Sequence, residues 1–140
     1  MNSENKSNDF WEEIVVDKSL ITKAILHAEK DLATAKRVLE SNDFDWCYSI
    51  TYNSMLQAGR ALMFVSGVRP KGEGKHLSVV EFIKFKYSKE FEDILFIFNK
   101  MRKKRHLIVY EEVDIVSKEE AVNGIKNAEL FIKKVKSIIK

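Results

Sequence analysis

A single cysteine, Cys47, excludes an internal disulfide and a thiolate zinc cluster. Trp46, Tyr48 and Ile50 beside it mark a helical packing position, so the thiol reads as a small hydrophobe. The three histidines, His27, His76 and His106, lie far apart, and none has a metal-ligand spacing. No cofactor and no metal is expected. Glycine is scarce, and Gly67, Gly72 and Gly74 lack both the lysine–serine sequel and the preceding strand of a nucleotide-binding P-loop. No apolar run approaches the roughly 18 residues of a membrane span. The N-terminus has no hydrophobic signal core. A cytoplasmic protein without membrane contact is therefore expected. Formal net charge is only +3, so overall charge does not by itself imply a nucleic-acid partner.

What is present is a core. Hydrophobic residues make up 45% of the 140-residue chain, enough for one domain. Residues 1–17 read as an N-terminal arm, polar up to Asp9. Phe10, Trp11, Ile14, Val15 and Val16 then form either a short helix or an arm laid on the core or on a partner. Residues 18–140 read as a single helical domain.

Five helical segments follow from spacing. Ile21, Ala24, Ile25, Ala28, Leu32, Ala35, Val38 and Leu39 recur in steps of three and four over about 18–39. A second helix spans about 45–66, with Asp43 as N-cap and Gly67 as stop. Its stripe is Trp46, Ile50, Ser54, Ala58, Ala61, Leu62 and Val65. Gly59 costs about 1 kcal/mol against alanine inside a helix, so close packing is its expected reason. Gly67–Gly74, holding Pro70, is the one clear loop. A short third helix is expected over about 77–87 and a fourth over about 89–106, capped by Ser88. The fifth covers about 118–139, where Ser117 and Glu120 have capping-box spacing. Leu107–Tyr110 is too short for a strand and lacks a pairing partner. The fold class is all-α: an up-and-down bundle of about five helices, a four-helix core plus a short one.

One feature breaks the pattern. Met101-Arg102-Lys103-Lys104-Arg105-His106 puts a burst of positive charge at the end of the fourth helix. The apolar stripe Phe91, Ile94, Leu95, Phe98, Met101, continued by four residues, reaches Arg105. An arginine there is costly unless it is paired, hydrogen-bonded or needed. Alternatively the cations simply complement the helix dipole at its C-terminus. His76, opening the third helix after the loop, serves either as a cap or as a contact for an anionic group. Glu111 and Glu112 read as solvated loop residues.

In order along the chain, Ala28–Ala35, the segment Ser49–Leu62 with its Ala58-Gly59-Arg60-Ala61-Leu62 end, Lys75-His76, Arg105–Tyr110 and Ala121–Ile138 with Phe131-Ile132 resemble the HEPN family. These are small helical domains named for nucleotide binding in higher eukaryotes and prokaryotes. The resemblance covers about 18–139. It implies that Arg105 matches the family's signature arginine and His106 its polar neighbour, in a metal-independent endoribonuclease site formed across a homodimer. The family's catalytic histidine falls on Tyr110, and a phenol of pKa about 10 is a poor base at neutral pH. A register using Arg102 with His106 is the alternative. The family's tyrosine modification target falls on Glu112, so that target is absent unless Tyr110 serves instead.

The resemblance thus points to Arg105, His106 and Tyr110 as candidate catalytic residues. Arg102, Arg105, Lys103, Lys104 and His76 are candidate nucleotide- or RNA-binding residues. The expected function is a homodimeric module that binds nucleotide, RNA or a partner protein, associated with a minimal nucleotidyltransferase or a toxin–antitoxin type system. Two other readings stand beside it: an active endoribonuclease toxin, and a purely structural helical interaction module.

Overall fold

The computed structural model describes residues 9–72 and 74–140. The first eight residues of the polar arm, and Glu73 of the loop, lie outside them.

Helix α1 (Lys18–Glu40) begins where the Asp17 carboxylate accepts the Ser19 amide at 2.8 Å. It buries Ala24, Ile25, Ala28, Leu32 and Ala35, as the spacing predicted. Helix α2 (Phe44–Val65) follows after a tight turn in which Asn42 takes a φ of 64°. Asparagine is one of the few side chains that enters this left-handed region readily. Asp43 caps α2 through the Trp46 amide at 3.2 Å. α1 and α2 form the largest helix–helix contact of the fold, and α2 also packs against every other helix. This central position buries α2 on nearly all sides. Its only charged residues are Asp45 and Arg60. Trp46, which the sequence placed on the buried stripe, stands mostly exposed, while Cys47 beside it is fully buried.

The expected loop after α2 contains a strand, β2 (Val68–Pro70), antiparallel to β1 (Trp11–Glu13). The ribbon lays Phe10, Trp11 and Ile14 on the core, while Val15 and Val16 remain exposed. Trp11 is buried edge-on against Phe82, with ring centroids 5.3 Å apart, and Glu12 pairs with Arg69 across the strands. Three-residue strands are short enough to escape a pattern search.

Helix α3 (Lys75–Tyr87) starts two residues earlier than its apolar pattern, from Gly74, which has no side chain to cap with. It crosses α2 at Gly59. A Cβ there would meet Val79 Cγ1 at 2.4 Å and Ile83 Cδ1 at 3.3 Å, so close packing is the reason for the glycine.

Helix α4 spans Glu92–Tyr110, starting later and ending later than its charge pattern suggested. Phe91, not Ser88, occupies the N-cap, without a side-chain cap bond. Burying the Phe91 ring stabilises by about 1.5–3 kcal/mol, more than the roughly 1 kcal/mol of a cap. The cationic burst therefore lies inside the helix and not at its end. Helix α5 (Lys118–Ile139) has the predicted capping box, with both Ser117 and Glu120 bonds formed.

The α4–α5 connection is held from α2. The Asp45 carboxylate accepts the amides of Asp114, Ile115 and Val116 at 2.6, 3.1 and 3.0 Å. Phe91 and Phe98 from α4 meet Phe131 of α5, with centroids at 5.1 and 5.6 Å. Phe98 in turn meets Tyr52 of α2 at 5.6 Å. Of the aromatic residues of α3 and α4, Phe82, Phe91 and Phe98 are buried and Tyr87 is half-buried. Phe85 and Phe96 remain exposed. The architecture is all-α apart from the small ribbon, as expected. Among the described residues no helix is long and apolar enough to cross a membrane.

Candidate anion-binding site

Where α2, α3 and α4 meet, one imidazole gathers the cations. His76, in the first turn of α3, places Nδ1 3.1 Å from the Tyr52 hydroxyl of α2. The rings are tilted at 31° with centroids 5.7 Å apart. Tyr52 is fully buried, its ring fixed against Phe98. The hydrogen bond therefore ties a half-buried histidine to the rigid centre of the core, and His76 does not cap its own helix.

Three guanidiniums act on this imidazole: Arg60 from α2, and Arg102 and Arg105 from α4. Burial, and then Arg105, Arg102 and Arg60, hold the His76 pKa below its ordinary value, so the ring is neutral at pH 7. Burial pushes the Tyr52 phenol well above its usual range, although Arg102 and Arg105 pull it down, so the hydroxyl keeps its proton. When that hydroxyl donates to Nδ1, the histidine carries its hydrogen on Nε2 and offers it as a donor.

The guanidiniums are not neutralised. Among the described residues, none of Arg60, Arg102 and Arg105 forms an ion pair with a carboxylate. Arg102 Nε donates to the Asn99 side-chain carbonyl at 3.0 Å. Among the described residues, the Nε–H groups of Arg60 and Arg105 are buried without an acceptor, and the Ser49 hydroxyl is likewise buried without a partner. Leaving a buried donor unsatisfied costs about 1–3 kcal/mol, and more for a charged group. Native proteins rarely leave such a group unpaired, and its partner is then commonly a water, an ion or a ligand.

A cleft of about 830 Å³ opens beside Arg60 and His76, and neither Arg102 nor Arg105 lines it. Its floor is apolar: Leu56, Phe64 and Val79. Its walls carry Arg60, Lys71, Lys75 and His76, and the one carboxylate there, Glu12, is held by Arg69. Lys75 and His76 in the first turn of α3 line it, placing the positive end of the helix dipole there. The guanidinium of Arg60 also lies over the Phe64 ring, 5.6 Å from its centroid.

The predicted site residues divide. Arg102, Arg105 and His76 come together. Lys104 turns the other way, to Glu120 of α5 at 2.5 Å, and Lys103 is exposed. The Lys104 hydrogen bond and the Ser117 amide hold the Glu120 carboxyl below its usual range. His106 and Tyr110, one helical turn apart, stack on each other in solvent with centroids 4.7 Å apart. Neighbours in a helix point about 100° apart, so Arg105 faces the core while His106 faces away from it.

Two participants, Arg60 and Tyr52, were not singled out from the sequence. Arg60 had a signal: it is the one cation in a helix whose only other charge is Asp45. Tyr52 had none, since a buried tyrosine looks like any core aromatic. Among the described residues no group of three or more histidine, cysteine or acidic side chains is placed to hold a metal ion.

The chain matches the sequence model of the HEPN domain over residues 21–138. Its fold is similar to the crystal structure of an archaeal HEPN homologue, with a TM-score of 0.68 and 21% identity. That match covers 86% of this chain and 98% of the other. No curated protein matches by sequence. The sequence model spans all but the ends of the five-helix bundle, and the chain belongs to the HEPN domain family.

Proposed function

We propose that this protein is a phosphate-binding HEPN module whose ligand, a nucleotide or RNA, is held by Arg60, Arg102, Arg105 and His76. The observation that carries the reading is the pair of buried Nε–H donors, on Arg60 and Arg105, that find no acceptor among the described residues, with Arg60 and His76 lining one cleft. Guanidiniums present planar, bidentate forks suited to phosphate oxygens. Lys71 and Lys75 add less directional attraction along the cleft.

Within one chain the geometry favours binding over cleavage. His106 and Tyr110, the nearest analogues of the family's catalytic histidine, occupy the solvent face with each other as neighbours. The family resemblance extends the proposal to a homodimer, acting beside a nucleotidyltransferase or within a toxin–antitoxin type system, in the cytoplasm.

Equilibrium binding of a labelled nucleotide and of a short RNA, in EDTA and at several salt concentrations, tests the reading. Affinity should fall steeply with salt and be lost in Arg105→Ala, while circular dichroism shows that variant folded. Cleavage of the RNA by wild-type protein, abolished in His106→Ala, would replace the binding module with a nuclease.

A further inference from the structure

We propose that the binding site runs on past the cleft, across Arg60, into a second cationic hollow between α1 and α2, and so takes a strand carrying at least two phosphates. The inference rests on the phosphate-binding reading above and adds a subsite and the length of the ligand.

The two hollows are continuous. Beside the cleft, a hollow of about 220 Å³ lies along the seam of α1 and α2. Leu20, Arg60 and Phe64 line both. The Arg60 guanidinium, carried over the Phe64 ring, therefore stands on the ridge between them. Its Nε–H is enclosed, which leaves the terminal Nη groups to meet a ligand. Lys71, Lys75 and His76 line the cleft on one side of this ridge, and Lys23 and His27 line the hollow on the other. Cations strung along a groove are what a single strand's backbone follows.

The trough also keeps its charge. No carboxylate lines the second hollow, and the one in the cleft, Glu12, is held by Arg69. Asp31, 3.5 Å from His27 Nε2, is engaged by the Asn53 amide at 2.7 Å as well. Lys23, Lys71 and Lys75 form no ion pair among the described residues. The hollow between α1 and α5 is different: its Lys36 and Lys136 are closed by Glu129 and Glu29. That face neutralises itself, and the trough does not.

Between the cations lie Leu20 and Phe64, with Gln57 in the second hollow. The Gln57 side-chain amide has no hydrogen-bond partner among the described residues. An apolar bed with a free amide suits an unstacked nucleobase, whose edge is read by hydrogen bonds. A run of acidic side chains would leave both unused.

The test is calorimetric titration of the full chain with a length series, from uridine 5′-monophosphate to its 5′-phosphorylated octamer, at several salt concentrations. Affinity should rise at least tenfold from the monomer to the tetramer. Each cation that meets a single-strand phosphate contributes about 0.7 to the slope of log K against log salt. Lys23→Ala and Lys71→Ala should each reduce the octamer's slope by about that amount, and Lys133→Ala, on α5, should not. A mononucleotide that binds as tightly as the octamer, or a slope reduced in Lys71→Ala but not in Lys23→Ala, would overturn the second subsite and leave the phosphate cleft standing. An equal reduction in Lys133→Ala would overturn it too, in favour of diffuse surface attraction. Polyglutamate that competes as well as an equally charged RNA would replace the strand with an acidic peptide. No binding of any phosphate probe would remove both the subsite and the reading beneath it.

Discussion

The Tyr52 hydroxyl lies 3.1 Å from Nδ1 of His76, and this one hydrogen bond couples the most buried helix of the bundle to the rim of its cationic cleft. Tyr52 cannot move, because its ring is sealed between helices against Phe98. The imidazole inherits that rigidity. Its neutral state follows from burial and from the three arginines around it, so its charge responds to whatever neutralises them.

A first prediction concerns pH. The folded-state pKa of His76 lies below its ordinary value of 6.5. Between those two values the unfolded chain holds the proton and the folded chain does not. Stability should therefore fall as pH is lowered through 6.5 and level off once the folded imidazole also titrates. Thermal melts of wild type and His76→Gln in a phosphate-free buffer should converge near neutral pH and separate below 6.5, with wild type losing more. Bound phosphate favours the imidazolium, so added phosphate should narrow the gap. Parallel melting curves at all pH values would show that His76 does not sense its arginines.

Two glycines in helices should respond oppositely to alanine. At Gly59 the new methyl would meet Val79 Cγ1 at 2.4 Å, inside a core with no room to yield. Gly59→Ala should lose about 1–3 kcal/mol. At Gly124 the nearest atom is the flexible Met101 Cε at 3.4 Å. Gly124→Ala should be neutral or gain up to about 1 kcal/mol from helix propensity. Chemical denaturation of the two variants measures both; equal effects would show the α2–α3 contact to be looser than described.

Asp45 holds the α4–α5 connection through three backbone amides, and Asp114 there adopts a φ of 55°. Hydrogen bonds to a charged acceptor contribute about 1.5–3 kcal/mol. Asp45→Ala should therefore lower stability by about that amount and raise amide exchange at Ile115 and Val116. Unchanged exchange would mean the loop is held by packing alone.

Much of this fold was legible because periodicity reports burial directly. The stripe of α1, the bounds of α5, the Asp43 cap, the Ser117–Glu120 box and the close approach at Gly59 all appear where spacing put them. The β-ribbon was not legible, because two three-residue strands carry no pattern of their own and are paired across more than fifty residues of chain. Half of the site could be read. Arg105 announced itself by continuing an apolar stripe, and Arg102 and His76 accompany it. Lys103 and Lys104 look identical in sequence, but helix geometry turns them elsewhere. Arg60 and Tyr52 join from α2 only through tertiary packing, which a local pattern does not encode.

The central claim is that the arginine cluster around His76 binds phosphate, and the imidazole itself can report it. The measurement is the side-chain NMR resonance of His76, assigned with His76→Gln, during titration with inorganic phosphate. The account predicts a saturable shift at His76, weak or absent at His27, and abolished in Arg105→Ala. A His76 resonance that stays in place while the protein is folded and phosphate is in excess would contradict it.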